Sequence, residues 1–192
     1  MKKIFVFSFI LASAFFIAGC HDGKTGKSSG KDSVVSLVKD TAVYGKCGEG
    51  TMMSTLELIT DDGKTMTFDC SQDEDGSLVM GGLLAGDKMA LTYFKTEEGL
   101  VATKVINLTT LLGRWTSIDR NFTIQEDGSV VSSQQAESNP YTSWSTINGR
   151  LVLNSDTFDI ISLGSDSLSI ENNKGLFVYK RQSEVNKSET KE

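Results

Sequence analysis

The chain has 192 residues, a formal net charge of −6 and a single histidine. An acidic chain without a basic cluster is a poor match for nucleic acid, so we expect no nucleic-acid partner. His21 lies in a polar run with no strand or helix pattern, which excludes a serine or cysteine catalytic triad and a histidine-rich zinc site. We expect no metal and no cofactor.

The first nineteen residues, MKKIFVFSFILASAFFIAG, have a basic start and an apolar core too short for a comfortable membrane span. This pattern predicts a signal peptide over residues 1–19. The end of the segment, Ile17-Ala18-Gly19-Cys20, resembles the lipobox of bacterial lipoproteins. The resemblance implies cleavage before Cys20 and attachment of lipid, with acyl chains such as palmitate, to that residue. The alternative is an ordinary signal peptide with an incidental cysteine.

A multiply acylated terminus holds a folded protein durably on a membrane, because each buried methylene contributes about 0.8 kcal/mol. His21, rather than an aspartate, follows Cys20. By resemblance to enterobacterial sorting rules, this favours a lipid-anchored protein of the outer membrane in the cell envelope. The sequence leaves both faces of that membrane open.

The rest of the chain alternates short strand patterns with turn signals. Apolar residues recur at every second position, as in Met89, Leu91 and Tyr93, and no window shows a helical stripe. Glycine next to Asp or Asn is typical of tight hairpin turns. The composition, with 18 glycines and one proline, fits this reading. We therefore predict an all-β chain of two small antiparallel β-barrel modules.

We divide the chain near Leu108. The signal peptide covers residues 1–19, and a lipid anchor with a flexible tether covers 20–33. The first barrel is predicted over 34–108 and the second over 109–182, followed by a polar tail over 183–192.

The first module ends in GGLLAGDKMALTYFKTEEGLVATKVINL, residues 81–108. A Gly-Asp turn followed by a long hairpin resembles small OB-like barrels, which often bind oligonucleotides or sugars. The acidic charge and sparse aromatic residues argue against nucleic acid. This module also holds five of the methionines, which we assign to core filling rather than to an adaptable contact surface or a soft-metal site; they are Met52, Met53, Met66, Met80 and Met89.

Two further cysteines lie in the first module. Cys70 continues an alternation with Met66 and Phe68, so we expect its side chain in the core. The cell envelope is oxidising and allows a disulfide. Two alternatives stay open: a bond between Cys47 and Cys70, or two buried thiols.

The second module opens with Gly113-Arg114-Trp115, which resembles the Gly-X-Trp motif at the first strand of lipocalins. In that family the Trp closes one barrel end and a late basic residue stacks over it. The resemblance implies that Trp115 and Arg181 form this barrel-closing pair, in a packing role. The module is about half a lipocalin in length and lacks the second motif, so we predict a short lipocalin-like meander. Together with the lipobox, the chain resembles two-module lipoproteins of Bacteroidetes that end in a lipocalin-like domain.

The longest irregular connection of the second module covers residues 132–144. Long loops at a barrel rim often carry recognition, so Tyr141 and Trp144 are candidates for a recognition loop, the alternative being that Trp144 packs. So short a barrel leaves little interior room.

The expected function is a non-enzymatic binding or interaction module, with a protein or a small apolar ligand as partner. The alternatives are a carrier of a small apolar ligand and an enzyme using exposed carboxylates, although most acids fall in turn signals.

Overall fold

The computed structural model describes residues 39–71, 78–133 and 139–182. The predicted signal peptide, Cys20, the tether and the polar tail lie outside these residues. The described chain is β throughout except for one short helix, α1 (Leu108–Leu111). The predicted fold class is confirmed: the chain forms two small β-barrels, the first OB-like and the second a lipocalin-like meander.

The first barrel contains six strands in the order β3-β2-β1-β5-β6-β4. The meander of β1, β2 and β3 is antiparallel, and a parallel pairing of β3 with β6 closes a five-stranded barrel, as in an OB fold. The short β4 pairs in parallel with the end of β6. The strands are β1 (Val43–Cys47), β2 (Thr55–Thr60), β3 (Thr65–Asp69), β4 (Val79–Met80), β5 (Lys88–Lys95) and β6 (Leu100–Asn107).

The second barrel is an up-and-down meander in the order β10-β11-β12-β13-β14-β7-β8-β9. Its two edges almost meet, because Val130 N–H donates to Thr142 O at 3.0 Å and Trp144 N–H donates to Gly128 O at 2.8 Å. The strands are β7 (Gly113–Thr116), β8 (Asn121–Ile124), β9 (Val130–Ser132), β10 (Trp144–Ile147), β11 (Arg150–Leu153), β12 (Asp156–Leu163), β13 (Ser167–Asn172) and β14 (Gly175–Arg181).

The two barrels pack on each other through a shared apolar junction. Met80, Ile106 and Leu111, which come from β4, β6 and α1, belong to the core cluster of the second barrel. Both barrels lie in one compact unit. The first sheet ends at Asn107 and the second begins at Gly113. The division into separate domains therefore stays a prediction.

A polar network adds to the junction on the side of the β10–β11 turn. The Asn148 side chain accepts hydrogen bonds from Thr41 N–H and Thr41 Oγ1, at 2.8 and 2.9 Å. Tyr44 Oη donates to Asp40 and also lies 3.0 Å from Thr146 O. The pKa of Tyr44 is raised to about 12, mainly because its hydroxyl group is buried and also because it donates a hydrogen bond to Asp40. Burial alone would raise the pKa of Asp40, but the bonds from Tyr44 and nearby backbone N–H groups leave it below its ordinary value.

Candidate functional site

A tryptophan and an arginine stack on each other where β7 pairs with β14 in the second barrel. Trp115 on β7 is fully buried, and its Nε1–H donates to Leu111 O at 2.8 Å. Arg181, at the end of β14, lies over the indole, with its Cζ 4.2 Å from the ring centroid. The same guanidinium donates to the carbonyl oxygens of Ser165, Leu112 and Thr110. The contact implied by the lipocalin resemblance is present, and its role here is packing.

The glycine of the Gly-X-Trp motif has a steric reason in this chain. Gly113 has φ +112°, a region that L side chains rarely adopt. A Cβ built on Gly113 would lie 2.5 Å from the Arg181 guanidinium nitrogen NH1. The glycine therefore leaves the space through which Arg181 reaches the carbonyl of Leu112.

Substitution of this glycine tests that argument. We expect Gly113→Ala to lower the free energy of unfolding by about 1–3 kcal/mol, because it adds backbone strain and displaces Arg181. Urea unfolding followed by tryptophan fluorescence measures the change. Gly128→Ala is the matched control, since Gly128 also has a positive φ, +87°, but a Cβ added there would make only an ordinary 3.7 Å contact. If both variants lost the same free energy of unfolding, the close contact between Gly113 and Arg181 would have no specific effect on stability.

A group of aromatic rings packs in the core of the second barrel. Tyr141 meets Phe122 edge to face, with ring centroids 5.5 Å apart, and meets Phe158 in the same way at 6.4 Å. Phe122 also contacts Tyr179 at 5.0 Å. Arg120 covers Tyr141 from outside, with its Cζ 4.4 Å from the ring centroid. Such edge-to-face pairs stabilise a core beyond their buried area. These rings therefore occupy part of the interior of the second barrel.

The suggestion that Tyr141 and Trp144 form an exposed recognition loop needs correction. Tyr141 is only 6% exposed, because its ring packs edge to face against Phe122 and Phe158. Trp144 is half-buried, and its Nε1–H donates to Gln125 O at 2.6 Å. The structure thus supports the alternative in which Trp144 packs; residues 134–138 of the connection lie outside the described residues.

The two cysteines of the first barrel are buried thiols rather than a disulfide. Cys47 Sγ lies 3.3 Å from Thr51 Oγ1, and Cys70 Sγ lies 3.9 Å from Phe68 O. Both side chains belong to the core of the first barrel. The sequence left open a disulfide or two buried thiols, and the structure has two buried thiols.

The prediction that the methionines of the first barrel fill its core is right for some of them and wrong for others. Met80 and Met89 are buried, as predicted, at 2% and 0% exposure. Met52 and Met53 are instead 73% and 103% exposed. They lie between β1 and β2, where Met52 and Thr55 form a bridge around a tight turn. Sequence reasoning therefore missed an exposed apolar surface on the first barrel.

The second barrel carries a smaller exposed apolar surface. Ile118, in the turn between β7 and β8, is 97% exposed, and Leu176 and Val178 on β14 are 57% and 54% exposed. A shallow groove separates that turn from β14.

Comparison with known proteins adds no family to this description. No protein-family model matches the chain, and neither a curated protein nor a solved structure matches it. In the described ranges, no helix is long and apolar enough to cross a membrane. Nor do those ranges contain a group of three or more His, Cys, Asp or Glu side chains able to hold a metal ion.

Proposed function

We propose that the chain is a lipid-anchored protein of the cell envelope, held at the outer membrane through Cys20, whose two barrels form a non-enzymatic module for binding another protein. The anchor rests on the lipobox sequence. The binding role rests on the packing of the second barrel. Because Trp115 packs under Arg181 and Tyr141 packs against Phe122 within the core cluster of the second barrel, we place the partner site on the outer surface.

The described carboxyl groups with a clear pKa shift are held in the ionised form by hydrogen-bond donors. A glycosidase needs one carboxyl group whose pKa is raised so that it can donate a proton. Each described carboxyl group with a clear shift has a lowered pKa instead, owing to hydrogen bonds from lysine, serine, threonine, tyrosine or backbone donors; these groups are Asp40, Asp62, Asp69, Glu126 and Asp127.

Native mass spectrometry of the full chain, extracted from its own envelope in mild detergent, tests the proposal. We expect a lipid-modified mass and a co-purifying protein chain. A small apolar adduct that leaves on denaturation, without a protein partner, would replace the proposal with the carrier function. Cys20→Ser is the control for the anchor, and it should remove both the lipid mass and the retention in the membrane fraction.

A further inference from the structure

A groove on the first barrel combines exposed apolar side chains with a rigid frame. It is an open depression between the β1–β2 connection and β4, with a volume of about 510 Å³. This volume is in the range of about 300–1,000 Å³ typical of binding pockets, so the groove can receive more than one side chain. We call it the methionine groove; it is lined by Thr51, Met52, Met53, Val79, Gly82 and Leu83.

Hydrogen bonds hold the β1–β2 connection, which carries Met52 and Met53, in place. Gly48 N–H donates to Glu57 O at 2.8 Å, and Gly50 N–H donates to the Glu57 carboxylate at 3.0 Å. Met52 and Thr55 exchange two backbone hydrogen bonds around a tight turn, at 2.8 and 3.3 Å. Met53 lies in that turn, so its side chain is held in solvent. A surface ordered before binding loses less conformational entropy when a partner docks.

The apolar residues that line the groove adjoin one another: Met52 and Met53 are exposed, and Val79 and Leu83 are half-buried. Leu84, the next residue in the second connection, is 66% exposed. The connection that holds Leu84 is tied to the end of β1, because Gly86 N–H donates to Cys47 O. Contiguous exposed apolar surface is typical of interaction sites, and flexible methionine side chains adapt to a partner.

The two connections that form the methionine groove carry acidic charges, whereas the flanking cations Lys46 and Lys88 act on Glu126. Residues 48–54 and 81–87, which form its two connections, contain Glu49 and Asp87 and no lysine or arginine. The Asp87 carboxylate accepts a hydrogen bond from Asn107, whereas Glu49 is exposed. Lys88, next to the second connection, is engaged with Glu126 at 2.6 Å. The groove therefore favours a cationic partner and disfavours an anionic membrane surface.

We propose that the methionine groove docks a protein segment that presents an apolar side chain flanked by lysine or arginine. The apolar side chain lies between Met52, Met53 and Leu83, and the flanking cation meets Glu49. This inference rests on the proposed binding function and names the surface and the chemistry of the partner.

A random-peptide library displayed on phage, selected against the immobilised full chain, tests the inference. We expect enriched peptides in which an apolar residue adjoins Lys or Arg, and we expect the double variant Met52→Ser, Met53→Ser to enrich none of them. A synthetic peptide of an enriched sequence should bind that variant at least about tenfold more weakly, equivalent to ~1.4 kcal/mol. Glu49→Gln and added salt should each weaken binding, because both reduce the attraction to the cation.

The matched control is the double variant Ile118→Ser, Val178→Ser, which removes exposed apolar side chains from the second barrel and should bind the peptide as the parent chain does. All four substituted side chains are more than half exposed, so neither variant is expected to unfold. Enriched peptides that lack cations, or that bind the methionine variant equally well, would overturn the inference.

Two further outcomes separate this inference from the proposed function. If a protein from the envelope co-purifies equally with the parent chain and with the methionine variant, the binding function stands and the methionine groove is not its site. If the Cys20→Ser chain binds vesicles of phosphatidylethanolamine and phosphatidylglycerol only while Met52 and Met53 are present, the groove is a membrane contact and the inference is wrong. If no protein co-purifies at all, the proposed function fails, and the peptide selection still decides the chemistry of the groove.

Discussion

Replacing Trp115 by alanine is expected to lower the free energy of unfolding by about 3–5 kcal/mol, the range for loss of a large buried aromatic side chain. The indole is fully buried, packs in the core of the second barrel and donates to Leu111 O. Alanine would leave a cavity and would remove the ring under Arg181. A loss of this size is a large share of the stability of an ordinary domain, so the second barrel should populate unfolded states under mild conditions.

Urea unfolding, followed by the fluorescence of Trp144, measures this effect in the variant. Trp115→Phe is the first control, because it keeps much of the apolar volume but loses the hydrogen bond to Leu111, and its loss should be smaller. Trp144→Phe is the second control, since Trp144 is only half-buried and should cost less than Trp115. A Trp115→Ala loss below that of Trp144→Phe would contradict the barrel-closing role of Trp115.

Local patterns in the sequence predicted much of the fold. Turns such as Asn148-Gly149 lie where glycine and asparagine predicted them, and both residues have positive φ there. The pairing of Arg181 with Trp115 followed from a family motif, although the two residues are far apart in the chain. By contrast, the parallel pairing of β3 with β6 that closes the first barrel depends on contacts between distant segments, which no local period reveals.

The sites were less predictable than the fold, because exposure depends on tertiary position. Tyr141 follows a polar, irregular connection, and nothing in its neighbours indicates that its ring turns back into the barrel to meet Phe122. Met53 has the same residue type as Met89, but one lies in a tight turn and the other on a central strand. Residue type therefore predicted a core position for both, and only the geometry of the β1–β2 connection separates them.

The second large effect is expected at Asn107, a fully buried polar residue between the two barrels. Its Oδ1 accepts from Thr110 N–H at 2.8 Å and so caps α1, while its Nδ2–H donates to Gly82 O and to the Asp87 carboxylate at 3.1 and 2.6 Å. Asn107→Ala removes the N-cap of α1. It also leaves Gly82 O and the Asp87 carboxylate without the hydrogen bonds that the buried amide donates. We expect a loss of about 2–4 kcal/mol in the free energy of unfolding.

The variant Asn107→Asp keeps the size of the side chain but replaces its hydrogen-bond donor with a charged acceptor. It therefore tests the hydrogen bonds of Asn107 without creating a cavity. Aspartate retains the acceptor for Thr110 but places a second carboxylate against Asp87, so at neutral pH the loss should exceed that of Asn107→Ala. The two carboxylates would repel each other in the folded state. Protonation of the introduced carboxyl group relieves this repulsion, so the difference in the free energy of unfolding between the variant and the parent chain should narrow as the pH falls. Urea unfolding at several pH values measures this, and a loss independent of pH would contradict the contact with Asp87.

Asn107 also tests whether the junction couples the two barrels. It lies at the end of β6 in the first barrel, yet it positions α1, whose Leu111 carries the hydrogen bond from Trp115. We therefore expect Asn107→Ala to shift the unfolding of the second barrel, read by tryptophan fluorescence, together with the overall circular dichroism signal. Thr60→Ala is the matched control, because Thr60 is a buried polar residue at the Asp62–Lys64 turn of the first barrel. If both variants change only the circular dichroism signal, the barrels unfold independently; if Asn107→Ala alone moves the tryptophan signal, α1 transmits stability from one barrel to the other.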